Sequence, residues 1–385
     1  MSSGRALAAG TKLVRFDAYY PPGTHVLLAV PLKLHLGMWG GAVLWCALSC
    51  LVPLLMWRLA QHLLTPKAAA ITAVLCAFWP LYITYGGYFT SETPALAFLL
   101  GALWLIYRAW RAAGRAALAW GVLAGLVGGM AITMRPQVAL NLLLVVALFV
   151  LRFRQQALAL VGIGVGTLLP LAGVVLLNSA AAGKPTGISE NSGQVFYQGH
   201  CDTHLETMLD KPSGLTYSFL SPVDYALRRG KDYYFDNHFF WDQSFMFAQG
   251  WACIRRDGLG HVRRLLRNVV DMTATTVPWP QNFSAVTGRN AVAKHEREVV
   301  EAANFAYAVL LPWVVIETIR LIRRRQAAGW WPGETVLLAQ LACVVPMAIL
   351  FVGDPRYRST YDVFGLALLA SLLAGRVQPV PAGER

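Results

Sequence analysis

ALAWGVLAGLVGGMAITMRPQVALNLLLVVALFVLRFRQQALALVGIGVGTLLPLAGVVLLN, residues 117–178, contains only three formal charges, Arg135, Arg152 and Arg154. They divide it into three apolar runs. A helix that crosses a hydrocarbon core of about 30 Å needs about 20 predominantly apolar residues, so runs of this kind read as membrane spans rather than soluble helices. The same holds upstream, where Gly37 to Tyr107 carries only Arg58, Lys67 and Glu92. Over all 385 residues, 56% are hydrophobic and 14% charged, against roughly a quarter charged in soluble domains. An ordinary soluble enzyme is excluded.

Apolar runs place membrane helices near 39–60, 66–84, 93–108, 117–133, 137–151, 157–177, 302–322, 333–352 and 361–375. The expected fold is an all-α polytopic membrane protein of about nine transmembrane helices, with a folded extracytoplasmic domain of mixed or mainly helical structure. Threading the spans puts thirteen Lys and Arg residues, Arg58, Lys67, Arg108, Arg111 and Arg324 among them, on one side. Only Arg135, Arg356 and Arg358 occupy the short links on the other. Basic residues mark the cytoplasmic side, so the second side faces outward. The divisions expected are an extracytoplasmic N-terminal segment (1–38), six helices (39–177), an extracytoplasmic domain (178–300), three helices (301–375) and a cytoplasmic tail (376–385). The net charge of +13 sits in links where it sets topology, so it does not argue for nucleic acid.

In the large outer segment Leu259, Val262, Leu265, Leu266, Val269 and Val270 recur at helical spacing, with Arg263, Arg264 and Arg267 on the other face. Such a helix lies on a membrane surface or packs on its own domain. Gly121, Gly125 and Gly129 allow close helix contact in lipid. Gly162, Gly164 and Gly166 imitate part of a dinucleotide loop, yet they lie inside an apolar span with no soluble strand before them, so that motif is discarded. Cys46, Cys50, Cys76 and Cys343 fall in apolar runs and read as small packed hydrophobes. Cys201 and Cys253 remain in the outer segment, where an oxidising compartment would allow them to pair.

Four polar clusters interrupt the apolar pattern, all on the outer side: FDAYYPPG (16–23), YGGYFTSE (85–92), MRPQ (134–137) and GDPRYR (353–358). Ionisable groups at helix ends in a membrane are costly and mark a pathway or a site. Arg135, Arg356 and Arg358 suit an anion, because guanidinium forks match phosphate oxygens; each alone also suits snorkelling to headgroups. Glu92 is open to several roles: orienting an acceptor hydroxyl, holding a metal, pairing with one of these arginines, or starting a helix. Asp17, beside Tyr19, Tyr20, Pro21 and Pro22, reads as a rigid, aromatic-rich approach to the membrane or equally as a turn at headgroup level. SENSGQVFYQGHCDTH (189–204) concentrates amides and turn formers, with Asn191 and Gln194 placed to line a sugar site. His200, Asp202 and His204 are close enough together to suggest a divalent metal site, but no flanking ligands of standard spacing accompany them, and a sugar-facing polar loop is the stronger reading.

Taken in order, YPPG, an apolar hairpin, TSE, a span ending in RP, the Asn-Ser-Gly and Tyr-Gln-Gly stretch and a late DPRYR resemble the GT-C glycosyltransferases. The nearest groups are bacterial enzymes related to protein O-mannosyltransferases and lipid A aminoarabinose transferases. The resemblance spans most of residues 16–375 and implies transfer of a sugar from a polyprenyl phosphate at the outer face. Carried over, Arg356, Arg358 and Arg135 contact the donor phosphate, while Glu92 and Tyr20 border the site; Tyr357, between Arg356 and Arg358, sets an aromatic face beside the cationic groups and lines the site with them. Members of this group usually carry a first helix and then an acidic residue, the proposed base, well before YPPG. This chain begins inside that loop, and Asp17 is only four residues before Pro21.

The expected function is therefore a multi-pass glycosyltransferase, of hexosyl or pentosyl type, in the bacterial inner membrane. Asp17 and Glu92 are its candidate carboxylates. Its partners are a polyprenyl-phosphate sugar, a glycan, lipid or protein acceptor, and membrane lipids. No metal site is assigned, and no cofactor beyond a divalent metal is considered. The competing readings are a truncated, inactive lipid-sugar-binding member and a lipid-linked sugar transporter.

Overall fold

The computed structural model describes residues 2–11, 13, 15–152, 157–201, 242–273, 305–323, 332–351 and 355–374. Among these there is no strand. The helices are α1 (Ser2–Ala8), α2 (Gly23–Lys33), α3 (Gly37–Leu63), α4 (Pro66–Ala77), α5 (Pro80–Gly86), α6 (Glu92–Arg111), α7 (Gly114–Met134), α8 (Val138–Arg152) and α9 (Ala157–Ala182). After these come α10 (Ser192–His200), α11 (Gln243–Asp257), α12 (Leu259–Thr273), α13 (Phe305–Arg323), α14 (Pro332–Ala342), α15 (Val344–Leu350) and α16 (Pro355–Ala374).

Five of the helices, α3, α6, α7, α9 and α13, are long and apolar enough to cross a membrane, and α4 with α5 makes a sixth, bent by 51°. The bend, within the single span expected over 66–84, falls at Pro80. Pro80 at the start of α5 withholds an N–H and blocks continuation of α4, just as Pro66 and the Thr65 hydroxyl, which accepts from Ala68 N at 3.2 Å, set the start of α4. Each of the nine expected spans coincides with a helix or a helix pair. The remaining three do not meet the same length and hydropathy: α8 and the α14–α15 pair are shorter, and α16 carries Arg358 and Asp362. The protein is thus an all-α, multi-pass membrane protein. Within residues 1–38, the expected N-terminal loop and juxtamembrane segment, are α1, a 3₁₀ turn at Arg15–Ala18 and α2.

At the centre is α6, with Leu96, Leu99, Leu100, Leu103 and Ile106 all buried. A helix apolar on every side belongs inside a bundle. By contrast α9 shows Val161, Val165, Leu168, Leu169 and Leu176 on its exposed side, as a lipid-facing helix does. What joins α9 to the bundle is its glycines. A methyl on Gly121 would sit 2.5 Å from Ala159 O, and one on Gly125 would meet Ile163 O. The relation is reciprocal, since a methyl on Gly162 would sit 2.5 Å from Leu118 O and one on Gly166 would meet Val122 O. Gly162 and Gly166, from the series dismissed as a dinucleotide loop, are the second half of a small-residue helix seam, which in lipid gains from close backbone packing.

The bundle ends differ chemically. One carries Arg58 over Trp57 (4.8 Å), Arg108 over Trp120 (5.0 Å), Arg111 over Tyr107 (4.8 Å) and His62 stacked on Tyr107. This mix of cations and amphipathic rings is that of a headgroup belt. The other end gathers the polar clusters.

Candidate functional site

Arg135 is the residue through which those clusters meet. It ends α7, where Pro136 turns the chain out of the helix, and its side chain is buried. Its Nη1 lies 2.6 Å from Glu92 Oε1, with the two side chains 4% and 2% exposed. Glu92 stands in the first turn of α6, where a negative group also complements the helix dipole. The Arg135 guanidinium lies over the Tyr357 ring at 5.3 Å. With its amide oxygen facing the guanidinium, Gln137 accepts from Arg135 Nη2 and Nε at 2.9 and 2.6 Å.

The aromatic N-terminal segment closes on the same place. A methyl on Gly23 would lie 2.5 Å from Thr133 Oγ1 and 2.7 Å from the Thr133 carbonyl, so only glycine lets the YPPG turn lie against α7 two residues from Arg135. Burial raises the Tyr19 phenol far above its ordinary value, with Tyr20 and Tyr357 adding to the effect; Tyr19 and Tyr20 meet edge to face. Tyr20 is exposed and Asp17 buried in its 3₁₀ turn. Next to Asp17, Ala18 O accepts from Glu190 N at 2.9 Å, which ties this turn to the SENSGQ stretch.

In that stretch Asn191 accepts from Ser189 Oγ at 2.9 Å at the start of α10, and Gln194 is buried. Glu190 is buried and holds Lys184 at 2.9 Å. Gln243, from α11, donates to Glu190 O and accepts from Gly193 N, so the amide-rich stretch is clamped rather than loose. Further along, Cys201 and Cys253 form a disulfide with Cα atoms 5.4 Å apart. His200 Nδ1 faces His261 Nε2 at 3.3 Å. Burial holds the His200 imidazole down to about 4, helped by His261, and burial with Arg264 lowers His261 as well.

Arg358 sits apart from Arg135. It is fully buried, its Nε lies 3.3 Å from Asp362 Oδ1, and its guanidinium covers the Tyr307 ring at 3.3 Å. Its Nη1 donates to Met272 O at 3.5 Å. Asp362 also accepts from Trp79 Nε1 at 3.0 Å, and Tyr82 OH donates to Ser359 O at 3.0 Å. Removing one partner of a buried pair of this kind costs about 3–5 kcal/mol. Sequence reasoning passed over Asp362, Trp79, Tyr82 and Tyr307. One signal was present: Arg358 and Asp362 stand four apart in RSTYD, the spacing of neighbours on one helix face.

So Glu92, Arg135 and Tyr357 come together, with the Tyr19–Tyr20 segment beside them, while Arg358 belongs to a separate buried cluster deeper along α16. Arg356 lies in α16, but its side chain is outside the described residues, as are Gly353, Asp354, Asp202 and His204. Among the described residues no group of three or more His, Cys, Asp or Glu side chains is arranged to hold a metal. A cavity with room for about one water molecule lies between Ser49, Tyr82, Tyr85, Glu92, Thr93 and Ser359. It joins the two clusters.

A multi-pass helical membrane protein with its polar segments collected at one bundle end is the class that this geometry defines. Residues 20–177 match the model of the dolichyl-phosphate-mannose-protein mannosyltransferase family, which is of the GT-C type. That match covers the YPPG turn, α2 to α8 and most of α9, including Glu92 and Arg135, and it supports the GT-C resemblance of the motifs. No curated protein and no solved structure matches the chain.

Proposed function

We propose that this protein transfers a sugar from a polyprenyl-phosphate donor to an acceptor hydroxyl at the extracytoplasmic face of the membrane. The observation that carries the reading is the meeting of Glu92, Arg135 and Tyr357, from three helices, beside the tyrosines of the N-terminal segment. Sidedness draws support from two features. The basic, Trp-rich end of the bundle is the end that the positive-inside rule assigns to the cytoplasm, and a disulfide in the 178–300 region suits an oxidising compartment.

In this scheme a carboxylate, Glu92 or Asp17, takes the proton of the acceptor hydroxyl. The acceptor oxygen then bonds to the anomeric carbon while the bond from that carbon to the phosphate oxygen breaks. The electron pair leaves with the polyprenyl phosphate, whose growing charge the arginines stabilise. Arg135 is the arginine best placed, next to the tyrosines. Because Glu92 already holds it, the donor phosphate must compete with or join that pair. Arg358 serves from behind, kept in register by Asp362, and Tyr20, Asn191 and Gln194 border the sugar.

The test is incubation of the reconstituted protein with a panel of polyprenyl-phosphate sugars and candidate acceptors. Release of polyprenyl phosphate with a glycosylated acceptor is expected. Binding without release would replace this reading with that of a lipid-sugar-binding member. Movement of the intact lipid-linked sugar between leaflets, with no release, would replace it with a transporter.

A further inference from the structure

The helix α12 is amphipathic in the wrong sense for a helix that packs on its own domain. Its apolar residues Leu259, Val262, Leu266 and Val270 are spaced by three, four and four, which puts them on one face. That face is open: the four side chains are 89%, 52%, 63% and 63% exposed. The opposite face carries His261, Asn268 and Met272, all buried, and Arg264, which donates to His200 O and pairs with Asp257 at 2.8 Å. His261, Arg264 and Asn268 are thus turned inward, while Leu259, Val262, Leu266 and Val270 face outward.

The position of α12 decides what the outward face meets. Its inner side is fixed to α15 and α16, which lie in two of the spans expected from the sequence. Asn268 Nδ2 donates to Gly199 O at 3.0 Å and approaches Phe351 O, just past the end of α15, at 3.4 Å. Met272 and Val269 share an apolar cluster with Cys343, Met347 and Tyr361. Met347 lies four residues back from Phe351, or about 6 Å down a helix axis. The C-terminal half of α12 therefore sits level with the last turn of the apolar α15, not beyond its end. Beside the apolar stripe, on one flank of the helix, Arg263 and Arg267 are exposed.

We propose that α12 lies in the plane of the membrane, its Leu259–Val262–Leu266–Val270 stripe seated at the acyl boundary and Arg263 and Arg267 on the phosphates of anionic phospholipids. In-plane helices of this composition bind through buried apolar area and attraction to anionic headgroups. The seat also reaches the polar clusters, because Met272 O receives Arg358. The inference stands whether or not the chain transfers sugar.

The experiment uses the full chain in lipid nanodiscs, with the exposed Cys46 and Cys50 changed to serine. An environment-sensitive fluorophore is attached at Leu266→Cys and, for comparison, at Leu168→Cys on the lipid side of α9. Quenching by nitroxide lipids should be stronger at Leu266 when the nitroxide is near the headgroup, and stronger at Leu168 when it is near the chain end. A second measurement needs no label. The parent protein should unfold at a higher temperature in phosphatidylglycerol than in phosphatidylcholine nanodiscs, and Arg263→Gln with Arg267→Gln should abolish that difference while leaving the phosphatidylcholine value unchanged. Water-like emission at Leu266 without lipid quenching, or a lipid preference untouched by the arginine changes, overturns the proposal. So does shielding of Leu266 by a second protein chain in place of lipid.

Discussion

Glu92→Gln is the change that most sharply separates what holds the site together from what it does. The carboxylate lies 2.6 Å from Arg135 with both side chains nearly inaccessible, so neutralising it strands a buried guanidinium. The attraction across 2.6 Å is about 6 kcal/mol at an effective dielectric constant of 20. Part of that offsets desolvation, and breaking such a pair from one side costs about 3–5 kcal/mol. Arg135 keeps Gln137 and the Tyr357 ring, so we expect the lower end, about 3 kcal/mol. Arg135→Gln should cost a similar amount. The double variant should cost clearly less than the sum, since neither charge is then left alone, with a coupling of about 1.5–3 kcal/mol. Equilibrium unfolding in mixed micelles measures the cycle. Donor binding should move the other way: Glu92→Gln removes the group that competes for Arg135, so affinity for a polyprenyl-phosphate sugar holds or rises while turnover falls. Arg135→Lys keeps the charge but loses the fork, so affinity should drop at least roughly tenfold. Additive stability effects, to within about 0.5 kcal/mol, would refute the pairing argument. A fall in donor affinity for Glu92→Gln equal to that for Arg135→Lys would refute the competition.

Removing the carboxylate that holds Arg358, by Asp362→Ala, should destabilise the protein by about 3–5 kcal/mol, with Trp79→Phe costing only about 1 kcal/mol for the lost hydrogen bond; unfolding midpoints of both variants decide it. Cys201→Ser opens a loop with a sequence separation of 52 and should cost about 4 kcal/mol by chain entropy, and mass spectrometry of the unreduced parent should find neither thiol free. Because the folded imidazoles of His200 and His261 are lowered, the unfolded chain binds more protons below its ordinary value near 6.5. Stability should therefore be complete above that pH and fall as pH drops toward about 4, and His261→Phe should flatten the decline in a pH series of melts. Gly125→Leu should abolish stable insertion or cost more than about 3 kcal/mol, whereas the same change at Gly164, where a methyl has open space, should leave the melt unchanged.

Periodicity and charge found the helices because lipid punishes a polar interruption severely, so the nine apolar runs had little freedom to be anything else. The same severity made the polar clusters visible as exceptions, and it is why Glu92 and Arg135 stood out although they are 43 positions apart in the chain. What the pattern did not disclose is partnership. Glu92 had four open roles, and only the fold shows that it holds Arg135. Arg135 and Arg358 read alike as cations at outer helix ends, yet one holds Glu92 and lies over the Tyr357 ring, and the other is enclosed by Asp362, Tyr307 and Met272.

The glycines make the same point from the opposite direction. Gly162 and Gly166 have no chemistry of their own, and read along the chain they only imitate part of a dinucleotide loop, a motif their apolar setting rules out. Across the bundle they face Leu118 and Val122, and their function is the absence of a side chain. Spacing along one helix says that a groove exists, but only the matching spacing on a second helix says what lies in it. Here Gly121 with Gly125 on α7 and Gly162 with Gly166 on α9 repeat at the same interval of four, so the match was legible once both series were taken as helical. The same step links Arg358 to Asp362. In a membrane, where a polar residue cannot find water, any two ionisable groups at helical spacing in an apolar run are better read first as partners and only then as separate ligands.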